Sequence, residues 1–341
     1  MAAVNSTAQR LSWDLERLRG IIERFDCRQR AYSADDIVAE FQRTGKGNTF
    51  FVFMENVIVR LRQLGHTGTA NNYRAALGSF KRFRAQEDIP IGAIDPAVME
   101  DYQAHLNAAG LAPNSTSFYM RILRAVYNRA VEQELTVDRR PFRTVFTGTE
   151  KTLKRAVSIS DIKRIKGLDL SHRPGLEFAR DVFLFLFLCR GMSFIDAAFL
   201  RKSDVHNGVL SYRRHKTGQQ LHVKVIRQIE ELLARYPTDG QPYLLPIITV
   251  PGKDERKQYE SALRRINKSL KTIAEMAKLP VTLTTYVTRH TWATVAKSKN
   301  VPVNVISDAL GHDSVSTTQI YLASIDSSVI DNANELVVSE L

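Results

Sequence analysis

Apolar residues recur every three or four positions through the first half of this chain, and this periodicity constrains its fold more than any other feature. Such spacing places apolar side chains on one face of an α-helix. Between residues 46 and 136 it predicts four consecutive helices that form a bundle. Asp95-Pro96 has the N-cap and first-turn proline of the third helix, Gly110 ends it, and Ser115 is expected to open the fourth. The apolar positions of the other three helices are Phe50, Phe53, Met54, Val57, Ile58, Leu61 and Leu64; Tyr73, Leu77, Phe80 and Phe83; and Ile122, Leu123, Val126 and Tyr127.

Residues 157–330 form a second predicted region, which is mostly helical with a small antiparallel sheet. The apolar run 182–189 is long enough, with its flanks, to be a buried helix. Residues 209–212 and 221–225 alternate apolar and polar side chains around a turn that contains Lys216, and this predicts a β-hairpin. Further helices are expected to begin near Ser160, Tyr259, Thr285, Pro302 and Ser316. The fold class predicted for the chain is mainly α.

The remaining segments are short. Residues 137–156 combine proline, glycine, threonines and basic residues without helical periodicity, which is typical of an interdomain linker. Residues 1–45 predict short helices that start after Ser12 and Ser33, and residues 331–341 form a C-terminal tail. A length of 341 residues fits two domains.

The charge of the chain favours a polyanionic partner. Its formal net charge is +12 and its isoelectric point is near 9.7. Lysines and arginines placed on phosphates release condensed counterions, so a basic chain binds nucleic acid readily. A basic enzyme that is indifferent to DNA is the alternative, and charge alone does not separate the two.

The two cysteines, Cys27 and Cys189, are too few for a disulfide framework and have no neighbours at metal-ligand spacing, which fits a reducing cytoplasm. The N-terminus lacks a basic segment followed by an apolar run. The longest apolar run, 182–189, falls well short of the ~20 residues that cross a bilayer. We therefore expect a cytoplasmic protein with no membrane partner.

The last fifth of the chain contains an arginine, a histidine and a tyrosine, each at the edge of a predicted helix. The segments are Arg289-His290-Thr291-Trp292-Ala293-Thr294, Leu310-Gly311-His312 and Thr317-Thr318-Gln319-Ile320-Tyr321. These three residue types hold a phosphodiester, balance its charge and attack it. The segments therefore predict DNA strand transfer through a tyrosine.

This pattern resembles the tyrosine recombinase (phage integrase) family, which has an Arg-His-x-x-Ala-Thr helix, a Leu-Gly-His turn and a tyrosine nine residues after that histidine. His312 and Tyr321 have this spacing, and the resemblance extends from about residue 48 to about residue 330. It implies that residues 46–136 are a SAM-like core-binding domain, one half of a clamp around duplex DNA, and that residues 157–330 are the catalytic domain. The segment 190–220 is most similar to integrases of Bacteroides-type mobile elements.

The resemblance also implies roles for individual residues. Tyr321 is the expected nucleophile, and because a phenol has a pKa near ~10, its attack needs neighbouring cations. Arg289 offers a planar fork for the scissile phosphate, and His312 donates a hydrogen bond or takes the tyrosine proton. The hairpin lysine of the family, here Lys216, protonates the departing 5′ oxygen. Tyr286 stands where the family has a histidine, and its hydroxyl still donates to phosphate. Each residue also has a structural alternative. The tyrosine would be buried in the core, the arginine would cap a helix, the histidine would pack in the interior and the lysine would be solvated.

One departure from the family pattern concerns its first arginine, which lies in Thr-Gly-x-Arg-x-x-Glu. Alignment on Asp196 places Ser193 at that arginine. Arg190 lies three residues earlier and would approach the same phosphate if the backbone there is helical, so it is the expected replacement. Arg213 and Arg214 beside the hairpin are the other candidates.

Basic residues between the apolar positions of the second and fourth bundle helices are the predicted DNA contacts. They are Arg74, Lys81, Arg82, Arg84, Arg121 and Arg124. Each alone is most simply an ordinary solvated charge, but as a set in a chain this basic they are expected to follow phosphates.

We interpret the chain as a site-specific tyrosine recombinase that integrates, excises or inverts DNA. The resemblance implies a 3′-phosphotyrosine intermediate, a homotetramer on two paired double-stranded sites and no cofactor. No metal is expected, since cationic side chains supply the charge. Accessory DNA-bending proteins and association with the bacterial nucleoid are compatible with this function. The rival hypotheses are a type IB topoisomerase and a non-catalytic DNA-binding regulator derived from a recombinase.

Overall fold

The computed structural model describes residues 14–15, 18–27, 31–45, 49–150, 156–322 and 338. Within these ranges it confirms a mainly helical chain with one small antiparallel sheet. The chain divides into two compact units, Met1–Lys151 and Thr152–Leu341. None of the helices in the described ranges is long and apolar enough to cross a membrane.

The N-terminal unit is built from helices. Residues 18–27 are helical, and they are followed by α1 (Ala34–Gly45), α2 (Phe50–Gln63), α3 (Thr67–Phe83), α4 (Pro96–Ala108) and α5 (Pro113–Glu132), with a 3-10 turn at Ile91–Ala93. The four predicted bundle helices are thus confirmed as α2 to α5.

Local capping explains where these helices begin. The side chain of Asp95 accepts a hydrogen bond from the backbone of the first turn of α4, as its sequence predicts. The last bundle helix begins at Pro113, two residues before the predicted Ser115, because a proline at the first helical position needs no partner for a backbone N–H. Ser33 and Asp36 cap α1 reciprocally, since the Ser33 N–H donates to the Asp36 carboxylate at 2.8 Å and the Asp36 N–H to the Ser33 hydroxyl at 3.2 Å.

The core of this unit is aromatic. Phe80 is fully buried, and its ring centroid lies 5.7 Å from that of Phe50, 5.9 Å from that of Phe51 and 5.0 Å from that of Tyr102. The Tyr102 hydroxyl donates to the buried Ser79 hydroxyl at 2.8 Å, which satisfies both groups in the core. The aromatic stripe that the sequence assigned to packing is therefore a core stripe.

The C-terminal unit surrounds one buried helix. Its helices are α6 (Ile159–Lys166), α7 (Pro174–Leu188), α8 (Phe194–Phe199), α9 (Arg227–Ala234), α10 (Glu255–Met276), α11 (Val287–Ser298), α12 (Val303–Leu310) and α13 (Val315–Leu322). The predicted buried helix is α7, which contacts α6, α9, α10 and α11. Ser158, rather than Ser160, caps α6 in a reciprocal arrangement with Asp161.

The sheet has three antiparallel strands in the order β1 (Val205–His206), β2 (Val209–Arg213) and β3 (Gln220–Lys224). The predicted hairpin is β2 and β3, with Arg213 paired to Gln220. The first strand was not predicted, although the Asn207-Gly208 pair before β2 is a strong turn signal and both residues have positive φ, 48° and 71°.

Helices α11, α12 and α13 share a separate small core, formed by Ala293, Ala296, Ile306, Leu310 and Leu322. This core holds the three C-terminal motif segments against one another. The predicted helix start at Ser12 and, apart from residue 338, the predicted tail 331–341 lie outside the described residues.

Candidate active site

Arg289 lies in the first turn of α11 and is 4% exposed. Its guanidinium donates to the Gly191 carbonyl at 3.1 Å and to the Leu310 carbonyl. Gly191 has a φ of +70°, and a Cβ there would lie 2.7 Å from the Arg289 Cα, so the close approach requires a glycine. The loop after α7 and the end of α12 therefore fix this arginine on both sides.

Arg214 follows β2 directly and is 7% exposed. Its Nη1 donates to the Gly311 carbonyl, one residue beyond the carbonyl that holds Arg289. Gly311 has a φ of +62°, and a Cβ there would meet Arg214, Gln219 and Leu221 at 3.0 to 3.1 Å. The hairpin and the Leu310-Gly311-His312 turn are thus packed together.

The two guanidiniums form a buried positive site. Burial, together with the charge of Arg214, lowers the pKa of Arg289 to about 10. Within the described residues, the buried Nε atoms of Arg289 and Arg214 have no hydrogen-bond partner. Two adjacent buried cations with unused donors are suited to an anion that carries several acceptor oxygens.

His312 follows the glycine of this turn and is 8% exposed. Its Nδ1 lies 2.8 Å from the hydroxyl of the buried Thr318, which orients the ring. Burial lowers the pKa of His312 to about 4, and the charges of Arg289, Arg214 and Lys216 act in the same direction. The imidazole is therefore neutral at pH 7 and is able to donate or accept one proton.

Tyr321 is the penultimate residue of α13, and its side chain lies outside the described part of the structure. The helix itself is well anchored. Thr318, one turn earlier, contacts His312, and the buried Leu322 packs on α11 and α12. The Lys297 ammonium also donates to the Leu322 carbonyl at 3.2 Å. The backbone of the predicted nucleophile thus belongs to the cluster that holds Arg289 and His312.

Lys216 and Tyr286 lie at the edge of this cluster. Lys216 is exposed at the hairpin tip, and its charge contributes to the low pKa of His312. Tyr286 precedes α11 and is 52% exposed, with its ring 4.9 Å from the His290 ring in an edge-on arrangement. Burial of part of this side chain raises the pKa of Tyr286, whereas the charges of Arg289 and Arg214 oppose the rise.

Arg190 is not placed with these residues in the way the sequence suggested. The backbone between Arg190 and Ser193 is not helical, because Arg190 and Gly191 have φ angles of 61° and 70°. Ser193 caps α8 instead. Arg214, and not Arg190, is among the charges that lower the pKa values of both Arg289 and His312.

The predicted DNA contacts of the N-terminal unit fall into two groups. Arg74, Arg82 and Arg121 are exposed. Lys81, Arg84 and Arg124 are half-buried, and two of them have partners: the Lys81 ammonium lies 2.5 Å from the Glu55 carboxylate, and Arg124 donates to the Thr147 hydroxyl at 3.0 Å. Only the first group is plainly available to a partner.

Sequence reasoning missed a second basic surface, on α10. Its outer residues Arg264, Arg265, Lys268 and Lys271 are exposed, and none has a carboxylate partner within the described residues. Asn267 of the same helix accepts a hydrogen bond from the Thr285 N–H at 2.9 Å, close in sequence to Tyr286 and Arg289. The helical spacing of these four basic residues was the signal that would have revealed the surface.

Comparison with known proteins identifies the family of this chain. Residues 49–146 match the phage integrase SAM-like domain, and residues 177–327 match the phage integrase family. The tyrosine recombinase XerD of Staphylococcus epidermidis is 25% identical over 266 residues, which cover 74% of this chain and 88% of that protein.

Two solved structures share the fold. A lambda integrase tetramer bound to a Holliday junction aligns with a TM-score of 0.61 at 15% identity, covering 79% of this chain and 77% of that one. The Tn1549 transposon integrase in complex with a circular intermediate DNA aligns with a TM-score of 0.60 at 16% identity, covering 84% and 99%. The two family matches together define an enzyme that recombines DNA at specific sites. The chain belongs to the tyrosine recombinase (phage integrase) family.

Proposed function

We propose that this recombinase cleaves DNA with Tyr321 as the nucleophile. The phenolic oxygen bonds to phosphorus, the bond to the 5′ oxygen breaks, and the strand is held as a 3′-phosphotyrosine. Attack by a 5′ hydroxyl reverses the step and rejoins the DNA. Because the phosphodiester bond energy is retained, no cofactor is needed.

The observation that carries the proposal is the pair of buried guanidiniums at the Leu310-Gly311-His312 turn. Arg289 and Arg214 each have an Nε–H without a partner in the described residues, and the turn between them leads into the helix of Tyr321. A phosphodiester would bring acceptor oxygens to these donors. Negative charge spreads over the nonbridging oxygens in the transition state, where such preorganised donors are most effective.

We assign Arg214 the role for which the sequence favoured Arg190. Two observations support the assignment: the Arg214 side chain is buried beside Arg289, and its charge acts on His312. The hairpin thus supplies a cation that compensates for Ser193, which stands where the family pattern has its first arginine.

Proton transfer falls to His312 and Lys216 in this proposal. The neutral imidazole of His312 takes the phenolic proton, and the bound phosphate favours the resulting imidazolium by its negative charge. Lys216 gives a proton to the departing 5′ oxygen, which is otherwise a poor leaving group. Tyr286 donates its hydroxyl to a nonbridging oxygen.

DNA binding is assigned to two surfaces. Residues 46–136 act as the core-binding domain through Arg74, Arg82 and Arg121. Residues 157–330, joined to them by the linker 137–156, bind phosphates with the exposed face of α10. Exposed basic side chains that have no carboxylate partner within the described residues support both assignments.

The assembly proposed for the reaction is a homotetramer on two paired sites, in the cytoplasm and on the nucleoid. The solved lambda integrase of the same fold is a tetramer on a Holliday junction, which supports this stoichiometry. Ser193 at the first-arginine position supports a role in a mobile element of the Bacteroides type, where integration, excision or inversion would depend on how the sites are arranged. Accessory DNA-bending proteins are part of the same proposal.

A nicked suicide substrate tests the nucleophile, because loss of a short 5′ fragment traps the covalent intermediate. Wild-type protein should form the adduct, also in EDTA. Tyr321→Phe should bind the DNA equally well and form none, since only the attacking oxygen is removed. Tyr119→Phe, a partly exposed tyrosine of the N-terminal unit, is the matched control and should react normally. An adduct with Tyr321→Phe would refute the assignment.

A further inference from the structure

The turn that carries Lys216 is attached on one flank to the Gly311-His312 turn. Arg214 donates to the Gly311 carbonyl, as does the Thr217 hydroxyl at 3.4 Å, and the Gln219 amide donates to the His312 carbonyl at 3.4 Å. These contacts hold the residues on both sides of Lys216 against the Gly311-His312 turn. They do not involve the opposite side of the Lys216 turn.

Asp196 holds that opposite side. Its Oδ1 accepts the backbone N–H of His215, the residue before Lys216, at 2.8 Å. Its Oδ2 accepts the Ser193 hydroxyl at 2.6 Å, and the Asp196 side chain is only 1% exposed. Ser193 and Asp196 belong to the start of α8, so the carboxylate connects that helix end to the tip of the hairpin.

Burying a carboxylate in this position costs folding free energy unless hydrogen-bond donors compensate for the lost water. Burial penalises the charged form, and within the described residues the one basic group at ion-pair distance from Asp196 is His215, whose Nδ1 lies 3.6 Å from Oδ1. Backbone N–H and hydroxyl donors to a carboxylate make short, charge-assisted hydrogen bonds. The carboxylate therefore stabilises one placement of the His215 backbone strongly.

We propose that Asp196, itself oriented by Ser193, is a positioning residue that places Lys216 for protonation of the departing 5′ oxygen. Lys216 reaches the site with a flexible side chain, so its effective position depends on where its backbone is held. Ser193 thus has a function of its own. The inference rests on the proposed role of Lys216 as the proton donor.

A competing explanation is that Asp196 acts through Arg289. Its negative charge opposes the lowering of the Arg289 pKa, so removing it would also weaken the phosphate site. In the first explanation the loss of Asp196 slows cleavage by misplacing Lys216, and in the second it does so by weakening Arg289. A substrate that does not need a proton donor separates them.

The test uses a DNA substrate in which sulfur replaces the bridging 5′ oxygen at the cleavage site. A thiolate leaves without protonation, so loss of the proton donor costs little on this substrate. On ordinary DNA, Asp196→Asn should cleave about 10- to 100-fold more slowly than wild type, by misplacing the proton donor. On the sulfur substrate it should come within about threefold of wild type, as should Lys216→Ala.

Asp204→Asn is the matched control, because Asp204 also accepts a backbone N–H, but that of Arg201 at the start of a short 3-10 helix and not one in the turn that carries Lys216. It should cleave both substrates at the wild-type rate. Ser193→Ala should show a smaller defect than Asp196→Asn and the same rescue by sulfur. If Asp196→Asn fails to fold, as judged by circular dichroism, Ser193→Ala decides, and the absence of a rescued defect overturns the inference.

The outcomes separate the two levels of the proposal. If Lys216→Ala is not rescued by sulfur, the assignment of Lys216 as proton donor fails. If Lys216→Ala is rescued and Asp196→Asn is not, Asp196 acts through Arg289 and the positioning role is overturned.

Discussion

The two units use positive charge in opposite ways. In the C-terminal unit, Arg289 and Arg214 are buried, lie close to each other and keep donors without partners in the described residues. In the N-terminal unit, Arg74 is exposed to solvent, while Lys81 is neutralised by Glu55. The first arrangement is costly for folding, and the second is not.

This difference indicates what each set of charges does. Cations that folding has already desolvated and oriented need no rearrangement when a phosphate arrives, so they act on the reaction rate. Exposed cations exchange salt ions for phosphates and act on affinity in a salt-dependent way. Substitutions in the two units should therefore change different measurements.

The largest effect is expected from Arg214→Ala. Loss of one preorganised donor to the transition state typically lowers the rate about 100- to 1,000-fold, and DNA affinity should change little. Arg190→Ala is the control, because Arg190 is not among the charges that act on Arg289 and His312. Single-turnover cleavage at saturating DNA measures both. A strong defect in Arg190→Ala with normal cleavage by Arg214→Ala would reverse the assignment.

A smaller effect is expected in the N-terminal unit. Substitution of Arg74, Arg82 and Arg121 together by glutamine should weaken DNA binding and reduce the slope of log K against log salt by about one for each lost phosphate contact. Cleavage at saturating DNA should stay near the wild-type rate. Lys81→Gln is the control, since its ion pair with Glu55 already uses the charge, and it should change the slope less. An unchanged slope in the triple variant would remove this surface from the DNA interface.

The accuracy of the sequence-based expectations varied with the kind of signal. Helical periodicity and caps such as Asp95 are local, so the bundle helices and the buried α7 were predicted within a few residues. The hairpin was predicted from alternation, but its partner strand β1 has two residues and no pattern of its own. The Asn207-Gly208 turn signal lies between β1 and β2, but two residues are too few to show the alternation that would identify β1 as a strand.

The site was harder to predict for the same reason. Motif spacing identified Arg289, His312 and Tyr321 as candidates. The choice between Arg190 and Arg214 depended on the backbone after α7, where two consecutive positive φ angles end the helix. The contact of Arg214 with Gly311 joins residues 97 positions apart, which no local pattern contains.

The smallest expected effect concerns stability and tests whether the buried charges of the C-terminal unit really surround His312. Its pKa is about 4 in the folded protein, below the value near 6.5 of an unperturbed histidine. Between these values the unfolded chain binds a proton that the folded chain does not bind, so the unfolding free energy should fall as pH drops from about 6.5 to about 4 and level off below that range.

His312→Asn does not titrate, and its amide suits the position of Nδ1 beside Thr318. Thermal unfolding at several pH values should therefore show wild-type protein losing stability relative to this variant as the solution is acidified. Parallel pH profiles for the two proteins would mean that His312 is not held among uncompensated cations. That result would weaken the contrast between buried charge in the C-terminal unit and exposed charge in the N-terminal unit.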